Sequence, residues 1–166
     1  MKSFLSTSFR LNTAMKFQIN AIGKLKSSAL KSLIDIYDKR LIRGCHIEEY
    51  DLKKKLSGEA LKKAEADLLF QKIPENAYII ALDEHGKELS SPNFAKLLTS
   101  QANHGYSTFV FLIGGAEGHS DQVRKKAHLL LSLGKMTWPH MMVRVMLMEQ
   151  LYRAQQINAG HPYHKE

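Results

Sequence analysis

Strand-like runs alternate along this chain with segments of helical periodicity, and that alternation constrains the fold more than any other feature. The clearest run, Phe109-Val110-Phe111-Leu112-Ile113, is apolar at every position and breaks abruptly into Gly114-Gly115, with Gly118 three residues later. A strand without polar interruption is buried on both faces, which is the condition of a parallel sheet covered by helices. Tyr78–Leu82 is a second run of this kind, and Phe17–Ile22, Cys45–Tyr50 and Leu129–Leu133 complete five expected strands. Between them lie helical patterns. Ser27–Ile42 carries Leu30, Leu33, Ile34, Tyr37, Leu41 and Ile42 on one face. Ser57 is placed to cap a helix with Ala60, Leu61, Ala64, Leu68 and Leu69 inward, before Pro74 ends it. Asp83-Glu84-His85-Gly86 reads as the turn closing the third strand. Ser90-Ser91-Pro92 opens a helix to about His104, Ser120 a short one, and Pro139 a long final one to about Asn158.

The fold class expected is therefore α/β, a parallel sheet flanked by helices. In such sheets ligands sit beyond the carboxyl ends of the strands. Three loops qualify: after Leu82, at Gly114, and from Leu133 to Pro139. The glycines match neither a dinucleotide fingerprint, which belongs near the first strand, nor a phosphate loop, since His119-Ser120 stands where Lys-Ser or Lys-Thr is required. From the residues alone, a tight structural turn and a ligand loop both remain open.

The chain's 166 residues suffice for one self-supporting domain. Residues 15–166 are expected to form it. Residues 1–14, with Lys2 and Arg10 and no acid, read either as an organelle transit-like extension or as sequence ahead of a start at Met15. No run is long and apolar enough to span a bilayer, so a cytoplasmic protein with no membrane partner is expected. The single cysteine, Cys45, excludes an internal disulfide and reads as a small buried hydrophobe. A formal charge of +8 favours a polyanionic partner. Lys53, Lys54, Lys55, Lys62 and Lys63 are either phosphate contacts or a solvated face.

Two further stretches carry chemistry. Ser132–Ala154 begins with a Gly134–Pro139 loop able to offer backbone amides and carbonyls to a neutral heteroaromatic ring. Its helix places Met142, Val145, Met146, Met148 and Leu151 at core or interface spacing, while Arg144 and Arg153 call for an anionic partner such as Glu149 or a phosphate. The ending Gly160–Glu166 crowds His161, Tyr163, His164 and Lys165. With no carboxylate cluster beside the two histidines, no metal site is expected.

Together, IGGAEG, LSLGKMTWPHMMVRVMLMEQLYRA and the terminal HPYHKE resemble the ribosomal RNA large subunit methyltransferase H family of the SPOUT superfamily, from Met15 to Glu166. The resemblance implies a SPOUT-type parallel sheet with a C-terminal trefoil knot. It implies an S-adenosyl-L-methionine-dependent enzyme that methylates N3 of a pseudouridine in large-subunit rRNA within the assembled ribosome, acting as a homodimer. Cofactor contacts carried over by motif are Leu82, Gly114, Leu133, Gly134, Lys135, Met136, Thr137 and Trp138, with Leu82, Leu133 and Met136 sandwiching adenine. For base, anion stabilisation and stacking the candidates are Arg144, Tyr152, His161, Tyr163, His164 and Lys165. The rival readings are a non-catalytic ribosome assembly factor and a SPOUT enzyme acting on tRNA.

Overall fold

The computed structural model describes residues 14–164. The reading of the extension falls, up to residue 13, outside the described residues, and so does the candidate Lys165. Among the described residues five strands, β1 Lys16–Ile22, β2 Cys45–Tyr50, β3 Tyr78–Glu88, β4 Thr108–Ile113 and β5 Leu129–Ser132, form one sheet in the order β2-β1-β4-β3-β5. Every pairing is parallel. Five helices connect or follow them: α1 Ser28–Arg40, α2 Gly58–Phe70, α3 Ser91–Asn103, α4 Asp121–Lys126 and α5 His140–Asn158.

Alternation along β1 and β4 divides the core into two layers. Phe17, Ile19 and Ala21 with Phe109, Phe111 and Ile113 face α1, α3 and α5. Ile22, Val110 and Leu112 face α2 and α4 through Ala66, Leu69 and Val123. Two polar residues are buried on that second face. Asn20 donates to the Leu69 carbonyl at 2.8 Å and Gln18 to the Lys72 carbonyl at 2.8 Å, so they satisfy carbonyls that the end of α2 leaves without helical partners.

Ser27, Ser90 and Ser120 each accept a backbone N–H as N-caps of α1, α3 and α4. Ser57 does not cap α2; the Gly58 N–H is taken instead by the Glu117 carboxylate, 59 residues away in sequence, at 3.0 Å. The third strand also departs from expectation. Asp83–Gly86 does not end it: Leu82 and Lys87 both register with Leu131, so the four residues between them bulge and pairing resumes through Glu88 and Ser132. Gly86 makes this possible, because a Cβ there would lie 2.6 Å from the Leu130 carbonyl carbon. On α1, Ile34 and the flanking Leu41 are buried, but Leu33 and Ile42 are 40% and 48% exposed, so the apolar face read from the sequence is wider than the core it meets. Ala60 of α2 is likewise exposed, while Glu65 and Ala66 are buried in its place.

Candidate functional site

Beneath the loops that follow β3, β4 and β5 lies a cleft of about 600 Å³. It stands at the carboxyl ends of the strands, where the sheet's hydrogen-bonding ladder stops and backbone groups are free to meet a ligand. Leu82, Gly114, Leu133, Gly134, Met136, Thr137 and Trp138 all lie in its wall, brought together from three separate loops; Lys135 does not. Met136 is 73% and Trp138 41% exposed, large apolar groups held open at the mouth.

The loop from Gly114 to Gly118 is shaped from behind as well as from the cleft. The Gly115 N–H donates to Glu65 at 3.4 Å, and a Cβ at Gly115 would lie 2.5 Å from the Glu65 Oε1. A Cβ at Gly114 would meet the His119 ring at 3.1 Å. The bare backbone at these two positions therefore admits neighbouring protein groups. Burial pushes the Glu65 carboxyl above the ordinary carboxylate range, only partly offset by the Gly115 amide. On the far side, Ser132 Oγ donates to the Gly134 carbonyl at 2.9 Å and fixes the start of the Leu133–Pro139 loop.

Charge in the wall is mostly acidic. Asp83, Glu84 and Glu117 line the cleft with Arg124. Arg124 Nε donates to Asp83 Oδ2 at 2.8 Å and the His85 amide to Asp83 Oδ1 at 2.9 Å. Burial raises the Asp83 carboxyl, but these donors outweigh it and hold the group below its usual range. Burial lowers the pKa of His119, 4% exposed, more than Asp83 raises it. Apolar plates, open backbone and acidic edges suit a neutral heteroaromatic ring joined to a cationic centre.

Arg144 is not in this wall. It is fully buried, with Nη1 donating to Glu49 at 2.5 Å and Nη2 to the carbonyls of Ile22 and Gly23 at 2.7 Å each. Its acidic partner is therefore Glu49; Glu149 pairs with Arg153, at 2.6 Å. This second pair organises the tail. Tyr163 donates its hydroxyl to Glu149 at 3.2 Å, Arg153 lies 4.8 Å from the Tyr163 ring centroid, and Tyr152 meets that ring edge-on at 4.8 Å. Arg153 Nη1 donates to His164 Nδ1 at 3.1 Å, and the Tyr163 amide to His161 Nδ1 at 3.2 Å. None of Tyr152, His161, Tyr163 and His164 lines the cleft. Beside the tail is a second groove of about 550 Å³, containing Leu33, Tyr37, Met146 and Glu149 and sharing Leu131–Gly134 with the cleft.

Glu65, Asp83, Glu117, His119 and Arg124 were not singled out from the sequence. Asp83 and His119 figured there only in a turn and in a loop that fails the phosphate pattern, and the roles of all five depend on contacts between distant parts of the chain. Cys45 packs against the edge of the core, where burial pushes its thiol far up. Among the described residues no helix is long and apolar enough to cross a membrane, and no group of three or more His, Cys, Asp or Glu is placed to hold a metal ion.

A family model described as "Predicted SPOUT methyltransferase" matches residues 15–164. A protein of Paramagnetospirillum magneticum named Ribosomal RNA large subunit methyltransferase H is 46% identical over 151 residues, covering 91% of this chain and 99% of that one. One of the same name from Rhodospirillum centenum is 44% identical over the same shares. In fold, the chain resembles a structure titled as a probable methylase family protein from Haemophilus influenzae Rd KW20. The TM-score is 0.54 at 12% identity, over 92% of this chain and 72% of that one. Sequence motifs, sheet architecture and full-length relatives agree, and the chain belongs to the ribosomal RNA large subunit methyltransferase H family of SPOUT methyltransferases.

Proposed function

We infer that this protein transfers the methyl group of S-adenosyl-L-methionine to N3 of a pseudouridine in large-subunit rRNA within the assembled ribosome. Residues 15–166 act as one catalytic domain, and the enzyme works as a cytoplasmic homodimer. The observation that carries the reading is the cleft at the carboxyl ends of β3, β4 and β5, in a chain of this family. Its apolar Leu82, Leu133 and Met136 suit an adenine, its loop backbones suit the adenine's polar edge, and Glu84 and Glu117 suit a sulfonium, Asp83 being paired with Arg124. When bound, the cofactor supplies an electrophilic methyl carbon.

The residues of the tail then have to make a poor nucleophile better. Pseudouridine N3 holds its proton between two carbonyls, so stabilising the anion formed by its loss is the central task. The Nδ1 atoms of His161 and His164 both accept protein N–H groups, so each neutral ring carries its proton on Nε2. In this arrangement the exposed His161 serves as a donor to a pyrimidine carbonyl rather than as a base, while His164, its Nε2 buried within its own chain, holds the tail in place. Tyr163, its hydroxyl pushed up by burial and by Glu149, gives its proton to that carboxylate in a hydrogen bond and so orders the tail, and Arg153 stays cationic beside the same carboxylate. Tyr152 offers a stacking face. Arg144 acts at a distance, by fixing where α5 starts.

Two finer readings accompany this one. Among the described residues the tail and the cleft do not meet within one chain, and the groove with Leu33, Tyr37 and Met146 leaves apolar surface uncovered, which supports a homodimer whose tail completes the partner's site. After β5 at one edge of the sheet, the chain returns so that Met141 lies near Gly23 and Arg144 reaches β1 and β2. That return supports threading of the C-terminal segment into a trefoil knot.

The deciding experiment is transfer of labelled methyl from S-adenosylmethionine to ribosomes lacking the modification, beside naked rRNA and tRNA, with nuclease mapping. Label at N3 of a large-subunit pseudouridine, in assembled ribosomes only, is the expected result. Label in tRNA would replace the substrate assignment, and absence of both cofactor binding and transfer would leave an assembly factor.

A further inference from the structure

The five lysines Lys53, Lys54, Lys55, Lys62 and Lys63 separate into two kinds once folded. Lys62 and Lys63 lie on α2 and are ion-paired along it with Glu59 and Asp67, at 3.4 Å and 3.3 Å. Lys53, Lys54 and Lys55 form the loop between β2 and α2, all exposed, and no carboxylate among the described residues pairs with them. Beside that loop runs the one between β1 and α1, joined to it by the Gly23 N–H to the Tyr50 carbonyl at 2.7 Å. It carries Lys24 and Lys26, also exposed and also outside any ion pair among the described residues.

Both loops leave the carboxyl ends of their strands, on the same edge of the sheet as the cleft. The strand order divides that edge: β2 and β1 end under the lysines, while β4, β3 and β5 end under the cleft. The two halves are tied together where the lysine loop ends, since the Gly58 amide donates to Glu117 of the glycine loop at 3.0 Å. Exposed Lys31, Lys96 and Lys125 also lie outside the ion pairs among the described residues, so what sets these five apart is their grouping on two adjoining loops. Five unpaired lysines on adjoining loops concentrate positive potential where it has no internal use, and such a strip draws phosphates by counterion release.

We propose that the β1/β2 half of this edge, Lys24, Lys26 and Lys53–Lys55, is a phosphate-docking platform that seats the RNA backbone beside the cofactor cleft of the same subunit. The proposal rests on the RNA-methyltransferase reading above and adds to it which surface the RNA lies on. The strip is sequence-independent in what it recognises, so it positions the RNA and leaves selection of the base to the cleft and tail.

The test compares two triple variants of equal net charge. One is Lys53→Gln/Lys54→Gln/Lys55→Gln; the other is Lys63→Gln/Lys96→Gln/Lys125→Gln, three exposed lysines on separate helices. Binding to large ribosomal subunits lacking the modification is measured against salt, with cofactor affinity by calorimetry and methyl transfer at saturating ribosomes as controls. Losing three phosphate contacts should lower the slope of log K against log salt by about 2 to 3. The loop variant should show that drop and a raised KM for ribosomes, with cofactor affinity unchanged, and the helix variant should stay near wild type. An equal drop in both variants would reduce the effect to bulk charge, and an unchanged slope in the loop variant would remove the platform; either overturns the proposal. Failure of wild-type protein to methylate any RNA would instead strike the underlying functional reading.

Discussion

Arg144 joins parts of the chain that are 95 to 122 residues apart, its guanidinium holding the carbonyls of Ile22 and Gly23 and, through Nη1, Glu49. Replacing it with Met would leave two carbonyls without their donor and the Glu49 carboxylate with only the Leu25 N–H, and breaking a buried pair from one side costs about 3 kcal/mol or more. The expected outcome is a matching fall in the denaturant midpoint, with Arg144→Lys intermediate because an ammonium lacks the planar fork; a midpoint unchanged in Arg144→Met would show that the clamp contributes nothing. Glu65 permits a prediction about pH. Its carboxyl binds its proton more tightly when folded, because burial disfavours the charge. The native state thus holds more protons than the unfolded chain from the ordinary carboxylate pKa of about 4.3 upward, and stability falls as pH rises through that window until the raised folded value is passed. Glu65→Gln removes the penalty while keeping an acceptor for Gly115, so its stability should gain on wild type with rising pH and match it in acid. Parallel curves would mean that the carboxylate is as well solvated as in the open chain. That Arg144 and Arg153 need anionic partners was readable from two arginines on an apolar helix. Which carboxylate each one finds was not, because Glu49 and Glu149 are equally acceptable in chemistry and differ only in position.

At the scale of elements, the edge strand β5 is the most dependent on a single residue. Its backbone passes so close to Gly86 that Gly86→Ala would force the bulge and β5 apart, and overpacking of this kind costs about 1–3 kcal/mol. Amide exchange at Leu131 should accelerate well beyond the rest of the sheet. Cofactor affinity should fall with it, since Leu131–Gly134 lines both the cleft and the second groove. Uniform exchange rates across all five strands would show that the strand tolerates the methyl. The positions of strands and helices were legible along most of the described chain because burial and turn chemistry repeat locally. The exceptions have tertiary causes: Ser57 yields its capping role to Glu117, and Asp83–Gly86 looks like a turn yet lies inside a strand because β5 is there to pair with Lys87 and Glu88.

For the whole molecule, the separation of tail and cleft within one chain makes the dimer testable by complementation. A subunit lacking His161–Glu166 should bind cofactor almost normally and transfer no methyl. A subunit with Gly134→Val should keep its tail and lose cofactor affinity. Co-expressed, random pairing forms one complete site in each mixed dimer, so about a quarter of wild-type activity should return. No recovery would mean that each tail serves its own cleft. By itself the sequence determined the α/β class, the succession of elements and the three loops that reach the cleft, because apolar periodicity, serine caps and glycine breaks act over a few residues. Only the tertiary structure decided that Glu65 sits behind Gly115, that Asp83 meets Arg124 and that two lysine-bearing loops share an edge with the cleft. Those relations depend on strand order and on contacts between residues tens of positions apart, which no local pattern records.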